Sequence, residues 1–119
     1  MHKLIILVTP EAEGPIFDKQ WPQFLHLAES MPGLLREATI RVQHMLYGDY
    51  PVSMLHELYF ESQDALYKAL ASPQGQAAGQ IIQQITDGYV TLMVAEHKED
   101  DIENLRKYRQ PESEAADAE

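Results

Sequence analysis

Leu4 to Val8 is an unbroken aliphatic run closed by Thr9 and Pro10, short and rich in β-branched residues, which predicts a strand buried on both faces. After a turn over Glu11 to Pro15, Phe17, Trp21, Phe24, Leu25, Ala28 and Met31 recur at helical spacing until Pro32 and Gly33. Leu34 to Tyr47 alternates and predicts a second strand, with Ala38, Ile40, Val42, His44 and Leu46 on one face and Glu37, Thr39, Arg41, Gln43 and Met45 on the other. A turn at Gly48 to Pro51 leads to a third strand, Val52 to Glu61, with Met54, His56, Leu58 and Phe60 opposed to Leu55, Glu57, Tyr59 and Glu61. Ser62 caps a helix carrying Ala65, Leu66, Ala69 and Leu70. Ser72 and Pro73 break and restart it, and Ala78, Ile81, Ile82 and Ile85 carry the stripe on to Asp87 and Gly88. Tyr89 to His97 closes the pattern as a fourth strand, apolar on both sides.

This βαββαβ order predicts an α+β, ferredoxin-like fold: an antiparallel four-stranded sheet with helices on one face. Two helical segments cover one side, while Leu4–Val8 and Val90–Val94 present aliphatic side chains to both. An uncovered sheet of that kind is a large apolar patch, so a second copy is expected to pack against it, giving a homodimer that closes into an α+β barrel. The chain reads as one domain over residues 1–109, followed by an acidic disordered tail over 110–119.

Charge and composition narrow the partners. Nineteen acids against nine Lys and Arg give a formal charge of −10, which repels phosphate backbones and anionic membranes, so neither nucleic acid nor membrane is an expected partner. No apolar stretch approaches the roughly 20 residues of a bilayer span, and no export signal is indicated. The absence of Cys removes disulfides, thiolate metal sites and Cys nucleophiles, and fits a cytoplasmic location. Dinucleotide, Walker, nucleophile-elbow and zinc-protease motifs are missing.

The candidate chemistry is histidine chemistry. A hairpin centred near Asp49 and Tyr50 sets His44 opposite His56 on the helix-facing side, where a neutral imidazole can act as a base. Structural, hydrogen-bonded core histidines are the competing explanation. Glu57 points to the other face, so the pair lacks a third ligand and no metal is expected. Arg41 and Glu57, placed together on that face, are expected to form an ion pair. His26 falls on the solvent side of the first helix. Between the sheet and the Ala- and Gly-rich segment Gln74 to Gly79 there are too few large side chains to fill the space, which leaves a ligand pocket. Trp21, Phe24, Tyr47 and Leu58 are its candidate walls, and Tyr59 or Tyr47 is the candidate for orienting a small organic ligand.

The segment Trp21 to Glu96 resembles the EthD family. The residues that carry the likeness are Met31-Pro32-Gly33-Leu34, Glu57-Leu58-Tyr59-Phe60-Glu61-Ser62 before Ala65-Leu66, Ala69-Leu70-Ala71-Ser72-Pro73-Gln74-Gly75-Gln76-Ala77-Ala78, and the closing Val94-Ala95-Glu96. The resemblance implies a dimeric α+β barrel and a role in small-molecule catabolism, a family tie with ethyl tert-butyl ether degradation. Relatives on this barrel include cofactor-independent monooxygenases, isomerases and haem enzymes. The expected protein is thus an oxidoreductase or isomerase with His44, His56 and Tyr59 as catalytic candidates. No cofactor is expected, with haem and flavin left open. A non-catalytic binding or accessory protein of a degradation pathway, and a haem-binding barrel, are the alternatives.

Overall fold

The computed structural model describes residues 1–107; the expected acidic tail lies outside the described residues. Strand β1 (His2–Val8) is central because almost every position in it is apolar, and it pairs antiparallel with both β3 (Met54–Phe60) and β4 (Val90–Glu96). Strand β2 (Arg36–Arg41) adds to the free side of β3, so the sheet runs β2-β3-β1-β4, the split βαβ order expected from the sequence. Helices α1 (Pro15–Glu29), α2 (Gln63–Ala71) and α3 (Pro73–Ile85) lie on one face. Leu4, Ile6 and Val8, with Leu58, His56 and Met54 directly opposite, form the floor of the core. Phe17, Trp21, Phe24 and Ala28 from α1, with Leu66, Ala69, Ala78, Ile82 and Ile85, close it from above.

The caps are where the sequence put them. Ser62 Oγ accepts from the Ala65 amide at 3.1 Å to start α2. Ser72 ends α2 and starts α3: its extended backbone turns the chain, and its hydroxyl accepts from the Gly75 amide at 3.0 Å while donating to the Ala69 carbonyl. Asp87 and Gly88, both at positive φ, stop α3. Pro22 lies inside α1 without ending it.

The second strand differs from expectation in register. Thr39, not His44, is paired with His56, and the pairing continues through Val42 and Ser53 before a loop. Strand β2 therefore stops at Arg41, and His44 sits exposed in that loop rather than on the sheet. An odd offset inverts every side chain of a strand. Glu37, Thr39 and Arg41 thus lie on the helix side with Leu58, His56 and Met54, and Ala38 and Ile40 on the far side with Glu57 and Leu55. The expected Arg41–Glu57 pair does not form: Arg41 reaches Glu13 at 3.6 Å and Glu57 takes Lys3 at 2.9 Å.

The far face carries Ile5, Leu7, Ile40, Leu55 and Met93, and α1, α2 and α3 all lie on the other side. Past β4 the chain folds back across one end of this face. His97 meets the Tyr59 ring edge-on and Glu99 pairs with Arg36 at 3.1 Å, which itself stacks on Tyr59. Among the described residues no helix is long and apolar enough to cross a membrane.

Candidate functional site

The inverted register of β2 assembles a polar cluster under the end of α1. His56 is 1% exposed and needs a partner for each ring nitrogen, since an unpaired buried polar atom is costly. Thr39 Oγ1 lies 2.9 Å from Nδ1 and Glu37 Oε2 lies 3.3 Å from Nε2. Both partners come from β2, two residues apart, because a strand returns to the same face with that period. The rest of the ring is enclosed by aromatics: Trp21 meets it edge-on with centroids 5.2 Å apart and Phe24 does so at 6.1 Å. Phe17, Trp21 and Phe24 stack in sequence along α1, which fixes the wall.

This setting separates the two titrating groups from their ordinary behaviour. Burial pushes His56 down to about 4, against the smaller opposing pull of Glu29 and Glu57, so the imidazole is neutral in the folded protein at neutral pH. Desolvation, followed by a shared hydrogen bond with Glu29 and the charge of that carboxylate, lifts Glu37 to about 7. The contact between Glu37 and His56 is therefore a hydrogen bond to a neutral ring and not an ion pair. Glu29 is exposed at the last turn of α1, and the Glu37 side chain is 30% exposed, so the carboxyl is the cluster's opening to solvent.

The other candidates are dispersed. Tyr59 is buried on the opposite face, where its hydroxyl donates to Glu57 at 2.7 Å, so it cannot orient a ligand held at His56. Tyr47 is 98% exposed in the loop, away from the buried Trp21. Phe24 and Leu58 do border the expected gap between sheet and α3, together with Gly75, Ala78, Gly79 and Leu92. That gap is about 30 Å³, room for a single water rather than for a substrate. It adjoins the cluster, since Leu58 is paired with Glu37 and Phe24 touches His56. Larger concavities lie elsewhere; one of about 630 Å³ beside Met1 and Leu105 is lined by an exposed imidazole–carboxylate pair, His97 and Glu99, 3.2 Å apart. Among the described residues no three His, Cys, Asp or Glu side chains are grouped to hold a metal ion. Glu37 and Thr39 were missed in the sequence. The signal available was hydrogen-bond accounting: one opposed histidine would serve only one nitrogen of His56, whereas polar residues at alternate positions of a neighbouring strand serve both.

No protein-family model matches the chain. A crystal structure of an EthD family protein from Bacillus halodurans superposes with a TM-score of 0.74 at 24% identity, covering 82% of this chain and 99% of that one. The fold is EthD-like. That agrees with the resemblance carried by Trp21 to Glu96. A curated relative, an uncharacterized 11.0 kDa protein of the thcB–thcC intergenic region of Rhodococcus erythropolis, is 25% identical over 99 residues, 82% of this chain and 96% of its own length. SnoaB, a cofactor-independent oxygenase from Streptomyces nogalater, shares the EthD-like fold at a TM-score of 0.56 and 14% identity, covering 85% of this chain and 94% of SnoaB. So do proteins described as dimeric and ferredoxin-like.

Proposed function

We propose that this EthD-like protein is a homodimeric enzyme of small-molecule metabolism that works by proton transfer, with Glu37 and His56 as its acid–base pair. The observation that carries the reading is a carboxyl poised near neutrality at the mouth of a water-poor cluster and hydrogen-bonded to a neutral imidazole. Such a group can take a proton from a weakly acidic C–H or O–H and return it, because its proton affinity matches the medium. In an oxygenase of the cofactor-free kind, Glu37 accepts the substrate proton, the carbanion so formed adds dioxygen, and the proton passes to the peroxide oxygen. In an isomerase the proton returns to a different carbon. Haem does not fit beside His56, whose two nitrogens are engaged and whose neighbouring gap is about 30 Å³.

The homodimer is supported by the far face of the sheet, where Ile40 and Met93 stay 43% and 38% exposed among the described residues. Sedimentation is expected to give twice the chain mass at micromolar concentration. A compact single-chain species would remove this part of the reading.

The catalytic part is tested by oxygen uptake with enolisable ketones and polyphenols, and by deuterium exchange at the acidic carbon of the same compounds. The Glu37→Gln and His56→Gln variants are expected to lose about a hundredfold in rate. Wild-type rates in both variants would take the pair out of the chemistry. A wild-type protein that binds these compounds without uptake or exchange would instead favour a binding or accessory protein.

A further inference from the structure

The heavy-atom positions around His56 suit two arrangements of one ring proton. With Glu37 protonated, its O–H donates to Nε2 and the ring's N–H is on Nδ1, directed at Thr39 Oγ1. With Glu37 ionised, Nε2–H donates to the carboxylate and the Thr39 hydroxyl turns to donate to Nδ1. The distances of 3.3 Å and 2.9 Å serve either case, and the hydroxyl of Thr39 is able to act as donor or acceptor. A lysine or a backbone amide at this position would lock one arrangement, and here neither does.

We propose that His56 is a tautomer relay, in which departure of the Glu37 proton moves the ring's single proton from Nδ1 to Nε2, with Thr39 and Glu29 as the positioning residues. The inference rests on the acid–base reading above and deepens it by assigning how the pair resets. The Glu37 proton passes to Nε2 as the Nδ1 proton passes to Thr39 Oγ1, whose own hydroxyl proton leaves for a base outside the cluster; one proton is lost in all and the ring ends neutral, as it began. The relay spares the buried site a charged imidazolium, which the surrounding Trp21 and Phe24 would solvate poorly. The titratable groups facing it are Glu29 from α1, Glu37 from β2 and, across the sheet, Glu57 from β3. Burial is the larger cause of the raised Glu37 carboxyl and Glu29 adds to it, so removing Glu29 shifts the pH at which the switch turns.

The experiment is a two-bond proton–nitrogen correlation spectrum of the full protein labelled with ¹⁵N-histidine, followed from pH 5 to 8.5. His56 is expected to remain singly protonated, with the proton on Nδ1 at the acid end and on Nε2 at the alkaline end. The changeover should track the Glu37 carboxyl ¹³C shift. Glu29→Gln, a surface change, is expected to move the midpoint down by roughly one pH unit, and Thr39→Ser to preserve the switch. A ring that takes a second proton over this range, or that keeps one tautomer across it, overturns the relay. An unmoved midpoint in Glu29→Gln overturns the role of Glu29. The spectrum needs no substrate: a protein that switches without turnover keeps the relay and loses the enzyme reading, and one that turns over without switching does the reverse.

Discussion

Replacing Glu37 by Gln is expected to make the protein's stability climb with pH across an interval where the two groups of the parent protein oppose each other. Burial lowers His56 from 6.5 to about 4, so between those values the unfolded chain binds a proton that the folded chain does not. Stability contributed by the neutral ring is therefore fully present above pH 6.5 and is lost as the pH falls toward 4. Glu37 has the opposite sign. Its folded value of about 7 exceeds the ordinary 4.5, so the folded chain keeps a proton that the unfolded chain has released. Its contribution is full below pH 4.5 and is lost as the pH rises through 7. From pH 4.5 to 6.5 the two slopes offset one another. The Glu37→Gln change removes only the carboxyl and keeps a hydrogen-bonding side chain of the same size. The His56 contribution then stands uncovered, on the order of 3 kcal/mol over its whole window at about 1.4 kcal/mol per pH unit. His56→Gln leaves the mirror image, a stability that declines as the pH rises from 4.5 to 7. Urea midpoints at three pH values, read from the single tryptophan beside the ring, measure this, and taking variant against parent cancels the other carboxylates. Equal slopes in parent and Glu37→Gln would refute the opposed titration.

The pairing behind this argument shows where sequence reading succeeds and where it stops. Element order was legible because its signals are local. The Leu4–Val8 run, the Ser62 and Ser72 caps and the Asp87–Gly88 stop each act within a few residues, and together they specify the split βαβ sheet. His56 was legible as a helix-facing residue because Met54, Leu58 and Phe60 flank it at period two. Its partners were not, because the alternation from Leu34 to Tyr47 makes Ala38, Ile40 and Val42 the apolar parity and Glu37, Thr39 and Arg41 the polar one, which reads as the solvent side. Ala38 and Ile40 look like a core face, yet they belong to the far face of a sheet that is apolar on both sides, in line with Leu55. Met45, Leu46 and Tyr47 then extend the alternation into a loop, where Leu46 is 96% exposed. Periodicity cannot distinguish a strand from a loop that carries apolar side chains, and an odd register error, here of five residues, exchanges Glu37 and Thr39 for His44. Pocket size was illegible for a related reason: small residues in α3 announce a gap, or a close approach of backbones, with equal force.

Two glycines of α3 separate those meanings, and opposite outcomes are expected from the same substitution at each. Gly75 is buried in the first turn of α3, where the chain has just reversed at Ser72 and runs back against the end of α2. A methyl group there would overlap the Ala69 carbonyl oxygen and lie 2.8 Å from both the Cα and the carbonyl oxygen of Leu70. All three atoms are backbone, so no side chain can swing away. Relief requires opening the α2–α3 junction, which loosens the Ser72 hydroxyl from the Gly75 amide and lifts Leu66 and Ala69 off β1 and β3. Overpacking of this kind costs about 3 kcal/mol. Gly79, one turn further on, has nothing within 4 Å of the place its Cβ would take, and it borders the 30 Å³ gap. Alanine there reduces the conformational entropy that a helical glycine loses on folding, a gain of about 1 kcal/mol. Gly75→Ala is accordingly expected to lower the thermal midpoint by roughly 10 °C and Gly79→Ala to raise it by about 4 °C. A Gly75→Ala protein that melts with the parent would mean that the two helices do not meet at the distance described. A destabilised Gly79→Ala would mean that the gap beside Leu58 and Phe24 is occupied.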